Sequence, residues 1–284
     1  MSKIITSLFI YKSQLYSSSL DGEIEQQNLN TMYKDDGIEF NLSQHFEDSI
    51  VLDIKAYKNR LYILTSDGLY IYDNLHIEKI KNIDDAQVIT IDYKLKILFL
   101  ISNARGLIGI NLKNDKYIND IEIDLLNINK SQVAITSITA NNGIIFLSIL
   151  NSGIYRIDYK SKQSKFVYKQ MQKIELKNPQ ELYYNQKNDE LAVVDFDYGL
   201  ILIKLENGDT TNYNLPNQDV PNSIKYISSF DRKYYIIQAR NALYKFDIKN
   251  KEFTKIVDQK VSNIITYYNK LYYTHQGELS IRNV

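Results

Sequence analysis

Seven short apolar stretches of this chain each hold one polar residue at a fixed place. They are Ser7 in Ile4-Ile5-Thr6-Ser7-Leu8, Asp53 in Val51-Leu52-Asp53-Ile54, Thr90 in Val88-Ile89-Thr90-Ile91, and Ser137 in Ala134-Ile135-Thr136-Ser137-Ile138. The later copies are Glu181 in Pro179-Gln180-Glu181-Leu182, Ser223 in Pro221-Asn222-Ser223-Ile224, and Asn263 in Val261-Ser262-Asn263-Ile264. Brought together, these side chains supply two carboxylates, one amide carbonyl and four hydroxyls. That is an all-oxygen set of the kind a hard cation such as Ca2+ takes, with Asp53, Glu181 and Asn263 as its strongest ligands. The competing interpretation gives the same residues no chemistry. Five of the seven are neutral, and small polar side chains at such a place also hydrogen-bond neighbouring strand ends and line a water-filled channel.

Other chemistry is thinly represented. The three histidines, His45, His76 and His275, fall in a loop, near an outer strand and at a turn, and although a Ser-His-Asp triad can assemble from distant positions, nothing in the sequence positively points to one. The absence of Cys removes thiolate nucleophiles, disulfides and zinc-thiolate sites. There is no Gly-rich phosphate loop, and Asn207-Gly208 reads as a hairpin turn. The expectation is therefore no catalytic residue, no metal and no cofactor.

The elements that must position these residues are hairpins. Arg60 to Asp73 reads as two strands of Ile, Leu, Tyr and Thr folded about Asp67-Gly68, a strong short-range hairpin signal. The same phrase recurs about Asp21-Gly22, Arg105-Gly106, Ser152-Gly153, Tyr198-Gly199, Asn241-Ala242 and Gln276-Gly277. Steps of about 35 to about 47 residues between turns fit propeller blades rather than helical solenoids. Each hairpin follows one of the apolar stretches, and most precede a weaker strand, such as Ile77 to Ile80, Tyr117 to Ile123, Ser164 to Tyr168, Thr210 to Leu215 and Glu252 to Val257.

Four strands per unit, innermost first, predict an all-β, seven-bladed β-propeller in one domain. Its blades cover approximately 1–47, 48–85, 86–131, 132–177, 178–219, 220–259 and 260–284. The seven polar residues then form one ring at the channel mouth. Leu125 to Val133 and Lys169 to Lys177 are expected to form a turn or two of helix between blades. The last blade is expected to lack its outermost strand, which leaves an open edge able to pair with a partner strand.

Lys and Arg number 34 and Asp and Glu number 34, so the balance gives no sign of a nucleic-acid binder. The longest apolar run, Ile144 to Leu150, is far too short to span a bilayer, and a soluble chain is expected. No signal peptide is visible after Met1, which favours the cytoplasm, or the periplasm or extracellular space if the chain is a processed or trimmed form.

Charge is expected to segregate. The turns between first and second strands and between third and fourth strands carry Lys58, Lys94, Lys96, Lys113, Lys160, Lys249 and Lys251. Asp67, Asp84, Asp85, Asp195, Asp197 and Asp219 gather at the opposite ends. There Arg105, Tyr198, Arg240 and His275 stand at or beside the recurring turns and are the binding candidates, Arg and Tyr being enriched at interface hot spots.

The phrases Ile-Thr-Ser-Ile, Leu-Tyr-Ile-Leu-Thr and Gly-Leu-Tyr-Ile-Tyr-Asp resemble the repeats of the two-component-regulator-propeller and LVIVD families, and more loosely those of WD-repeat proteins. The resemblance covers nearly the whole chain and implies a fold rather than an activity. Trp is absent and no Trp-Asp pair closes a blade, which departs from the WD pattern. Calcium-dependent lactonase-like propellers resemble the Asp53, Glu181 and Asn263 arrangement, which implies a metal-dependent hydrolase as the runner-up. The favoured expectation is a non-catalytic protein-interaction scaffold or accessory module with protein partners. A sensor or accessory domain of an extracytoplasmic bacterial system is a further alternative.

Overall fold

The computed structural model describes residues 5–11, 14–19, 24–29, 49–58, 60–73, 76–102, 105–118, 134–161, 163–168, 170–171, 174–176, 178–186, 188–228, 233–267, 270–275 and 278–283. These residues are strands and the turns that join them, and the fold is an all-β seven-bladed β-propeller. The chain divides into two compact units, residues 1–87 with 261–284, and residues 88–260.

In the first unit, β1 (Ile5–Tyr11), β2 (Gln14–Ser19) and β3 (Ile24–Asn28) make one antiparallel sheet. A second holds β4 (Val51–Tyr57), β5 (Arg60–Thr65), β6 (Gly68–Asp73) and β7 (His76–Lys79). In the second unit, β8 (Ala86–Asp92), which begins just before the boundary, joins β9 (Ile97–Ser102), β10 (Gly106–Asn111) and β11 (Lys116–Tyr117). Next come β12 (Ile135–Asn141), β13 (Ile144–Ile149), β14 (Gly153–Asp158) and β15 (Gln163–Tyr168), then a small hairpin of β16 (Gln170–Met171) and β17 (Ile174–Glu175). The fifth blade is β18 (Pro179–Asn185), β19 (Glu190–Asp195), β20 (Gly199–Lys204) and β21 (Thr210–Tyr213). The sixth is β22 (Pro221–Ser228), β23 (Lys233–Ala239), β24 (Leu243–Asp247) and β25 (Glu252–Val257). The seventh, β26 (Asn263–Tyr267), β27 (Lys270–His275) and β28 (Glu278–Asn283), returns to the first unit.

Second strands are buried on both faces, because blades stack face to face. All six residues of β9 are buried, and so are the last five of β5. In β19, Leu191 and Val193 pack against Phe146 and Ile154 of the preceding blade. Ala192 and Val194 pack against Tyr235 and Ile237 of the next. Each large aliphatic side chain so buried is worth roughly 2 kcal/mol, so these strands read as continuous apolar runs, while outer strands such as β7 alternate.

Glycine at the second-blade hairpin has a packing reason. The loop residues are Ser66 and Asp67, and Gly68 already pairs with Thr65 as the first residue of β6. Gly68 has φ +150°, and a Cβ there would sit 2.6 Å from the Ile83 carbonyl oxygen and 2.7 Å from Lys79 Cε. The chain leaving this blade passes directly over the hairpin, and only a glycine leaves room.

Polar groups tie the blade edges. Asp67 accepts hydrogen bonds from the Ser49 and Thr65 hydroxyls at 2.6 Å each, from Tyr70 at 2.7 Å and from Lys79 at 3.3 Å. Burial works against the Asp67 charge, but these four donors hold its pKa far below the usual range, and burial together with Asp67 pushes Tyr70 up to about 12. Within the second unit, buried Asp92 accepts from the Lys94 and Leu95 amides and, at 2.7 Å, from the Gly143 amide of the next blade.

Some expectations need correction. Lys169 to Lys177 contains the β16–β17 hairpin rather than helix, and Leu125 to Val133 lies outside the described residues. The expected strand Tyr117 to Ile123 is described only as β11, ending at Tyr117. Among the described residues the last sheet has three strands, as does the first.

Candidate functional site

Five of the seven polar residues singled out in the first strands sit beside a distortion of the ladder. The register slips between Ile5 and Ser7, Val51 and Asp53, Ile135 and Ser137, Pro179 and Glu181, and Pro221 and Ser223. One extra residue in each first strand re-aims the side chain that follows, which is what a β-bulge does. The next polar residue then faces Ser18, Leu64, Ser148, Val194 or Gln238, always the penultimate residue of the second strand. Asn263, opposite Thr274, occupies the same place. Thr90 does not. It is the fifth residue of β8, level with Lys55 in β4, and the third place belongs to Val88. The side chain of Ser7 lies outside the described residues.

In the second unit these residues clasp one blade to the next. The Leu182 amide donates to Ser137 Oγ at 3.2 Å, and the Ile224 amide donates to Glu181 Oε2 at 2.7 Å. In each case the donor stands one residue past the polar position of the following blade. Ser223 Oγ and Lys225 Nζ also donate to Glu181, so both of its oxygens are engaged. Desolvation opposes the charge of this half-buried carboxylate, but the Lys225 ammonium and the three hydrogen bonds outweigh it and hold the pKa below the usual range. Thr136, the bulged residue before Ser137, donates to the Pro179 carbonyl at 2.6 Å.

In the first unit, Asp53 accepts from its neighbour's amide, Ile54, at 2.8 Å and pairs with Lys55 at 2.7 Å. Asn263 Nδ2 lies 3.5 Å from Thr274 Oγ1. Among the described residues no cluster of three or more His, Cys, Asp or Glu is arranged to hold a metal ion. A cation at Glu181 would have to displace an ammonium and two hydrogen-bond donors from its carboxylate, so the donor set fits a cation poorly.

The turn residues give a different picture. Arg105 is half-buried, with its guanidinium 4.4 Å from the centroid of Tyr117 on the outer strand and its amide donating to Ser102 Oγ. Tyr198 packs against the core that contains Leu191 and Ile201. His275, half-buried, is the last residue of β27 and pairs with Glu278. Arg240 is exposed, and its guanidinium lies 5.8 Å from the ring centroid of Phe196 on the hairpin of the preceding blade. Phe196, 40% exposed, escaped the sequence-based set of candidates. Its flanking acids, Asp195 and Asp197, were the available signal that Val193-Val194-Asp195-Phe196-Asp197 turns outward at that point.

The backbone beneath this pair is pinned on both blades. The Phe196 amide donates to the Asn178 carbonyl at 3.0 Å, and the Arg240 amide to the Val220 carbonyl at 2.8 Å. Asn178 Nδ2 donates to Asp197 at 2.6 Å, while Asp219 accepts from Asn241 Nδ2 at 3.2 Å and from Tyr244 at 3.2 Å. The result is an aromatic ring and a guanidinium held side by side in solvent on rigid hairpins. Such a pair stacks on planar groups and takes a carboxylate through the guanidinium.

The expected acidic surface is thinner than its residues suggest. Asp195 is fully buried and caps its own turn by accepting from the Asp197 and Tyr198 amides. Its second oxygen is buried with no partner among the described residues, and desolvation pushes its pKa up. The basic turns do reach solvent, with Lys58, Lys94, Lys96, Lys113, Lys160, Lys249 and Lys251 all exposed.

No protein-family model and no curated protein matches this chain. Solved structures do. The extracellular domain of BT3049, described as a hybrid two-component system of B. thetaiotaomicron, superposes with a TM-score of 0.75 at 17% identity over 99% of this chain. That of BT4673, described as a one-component system of the same organism, gives 0.70 at 11% identity over 99%. This chain spans only 39% and 38% of those two chains. The β-propeller domain of Cps50 (Swd1) from Myceliophteria thermophila gives 0.71 at 11% identity, covering 100% of this chain and 98% of that one. At such identities the likeness is one of fold.

Proposed function

We propose that this chain is a non-catalytic recognition module whose binding surface is the hairpin edge of the fifth and sixth blades, centred on Phe196 and Arg240. The observation that carries this proposal is the exposed ring and guanidinium 5.8 Å apart on two pinned turns of neighbouring blades. The residues best suited to chemistry support it from the other side, since Glu181 spends its charge on Lys225 and on the next blade's backbone. The partner is a protein that offers a carboxylate and an apolar or planar group. Rigid turns present the two side chains, and no bond is broken.

Quantitative affinity capture tests this. The wild-type chain and a Lys249→Ala control, altered at the opposite end of the sixth blade, are expected to retain the same partner. The Phe196→Ala, Arg240→Ala double variant is expected to lose it by about tenfold or more, the scale of paired hot spots. Undiminished retention by the folded double variant overturns the assignment of the surface.

A second reading is favoured by two of the structural neighbours, which are extracellular domains of proteins described as one- or two-component systems. In it the module is the input or accessory domain of an extracytoplasmic system. Cell fractionation of the native protein decides this, recovery outside the cytoplasmic membrane supporting it and purely cytoplasmic recovery removing it.

A further inference from the structure

The last strand of the seventh blade has a sequence that complements itself. β28 runs Glu278-Leu279-Ser280-Ile281-Arg282-Asn283 and pairs with β27 over its full length, from His275 opposite Glu278 to Lys270 opposite Asn283. Among the described residues no strand lies on its other side. Leu279 packs beside the small core of Leu15, Leu29 and Tyr272. Ile281, two residues on and so on the same face, is 43% exposed, and Arg282 and Asn283 are exposed after it. A large aliphatic residue on a sheet edge is an aggregation hazard unless something covers it.

We propose that a second copy of this chain covers it, β28 pairing antiparallel with β28 about a two-fold axis at Ser280. In that register Ser280 opposes Ser280, Leu279 opposes Ile281 and residue 278, acidic, opposes residue 282, basic. Each unlike pair occurs twice by symmetry. Directly opposed antiparallel residues have Cβ atoms about 5 Å apart, where apolar pairs and opposite charges stabilise and like charges destabilise. A shift of one residue in the pairing places Leu279 against Arg282 and loses both matches. The palindromic order acid, aliphatic, small, aliphatic, base selects one register and one symmetric partner. The described three strands of each copy become one sheet of six. A six-residue strand pair buries well under the roughly 1,000 Å² of a permanent interface, so the dimer is weak and concentration-dependent. This inference does not rest on the recognition surface of the fifth and sixth blades.

Sedimentation velocity of the full chain, from dilute to roughly millimolar protein, is the test. The wild type is expected to pass from monomer to dimer across that range. Arg282→Glu and Glu278→Arg each set like charges opposite one another at two places and are expected to weaken the dimer roughly tenfold or more. The double variant carrying both reversals restores the pairing and the dimer, which a merely structural loss would not do. Ile281→Lys abolishes it. Hydrogen exchange of the β28 amides is expected to slow as concentration rises. The proposal is overturned by a wild type that stays monomeric throughout, or by a dimer indifferent to these substitutions. Protection of β28 already complete in the dilute monomer also overturns it, since the chain's own residues then cover the edge.

Discussion

Asp195 shows how a charged residue can be spent on architecture. It is fully buried, one oxygen caps the hairpin and the other meets no partner among the described residues. Its pKa is raised by desolvation, so the folded state holds the proton more tightly than the unfolded chain does. The corresponding stability is complete below the unfolded carboxylate value of about 4 and is lost as pH rises through the folded value. Asp195→Asn keeps an acceptor for the cap and cannot ionise. It is expected to match the wild type near pH 4 and to exceed it by about 1 kcal/mol at pH 8 in urea denaturation. A variant less stable than the wild type at pH 8 would contradict this. From sequence, Asp195 and Asp197 look alike, two acids about one Phe. Position separates them: Asp195 is the last residue of β19 and is buried with that strand, whereas Asp197 lies in the exposed turn that follows.

At the scale of the element, the recurring hairpins and the order of strands were legible because turn residues and apolar runs repeat in step. What escaped was register. The phrase Val-Ile-Thr-Ile in β8 looks like Ile-Thr-Ser-Ile in β12, yet the strand bounds put Thr90 two places beyond Ser137. Where the bulge falls depends on how both faces of the first strand pack, which no single blade's sequence contains. The reason for Gly68 was likewise hidden, because the chain that crowds it comes from Ile83, on the way to the next blade. Gly68→Ala is expected to cost about 2–3 kcal/mol, since backbone cannot yield, whereas Gly208→Ala, with nothing within 4 Å and only its φ of +79° to strain, is expected to cost about 1 kcal/mol. Chemical denaturation of the two variants side by side checks the order, and equal costs would refute the packing argument.

For the molecule as a whole, the sequence carried the β-propeller architecture, and solved propellers that share 11–17% identity superpose over nearly all of the chain. The proposed binding surface was half legible. Arg240 stood out as a turn residue, but its companion Phe196 did not, because a Phe after two valines reads as more strand. The set of oxygen-bearing side chains suggested a cation site, and the hydrogen bonds add a structural role for two of its members. Ser137 and Glu181 each hold the next blade's backbone, and in that role they clasp neighbouring blades together.

Calorimetric titration of Ca2+ into the wild-type chain, with Glu181→Gln as the comparison, tests that conclusion most directly. If Glu181 is a clasp, no saturable site appears up to roughly millimolar Ca2+, and the variant behaves as the wild type does. Micromolar Ca2+ binding that disappears in Glu181→Gln would make the same residues a metal centre, and the account of this chain as a non-catalytic recognition module would be wrong.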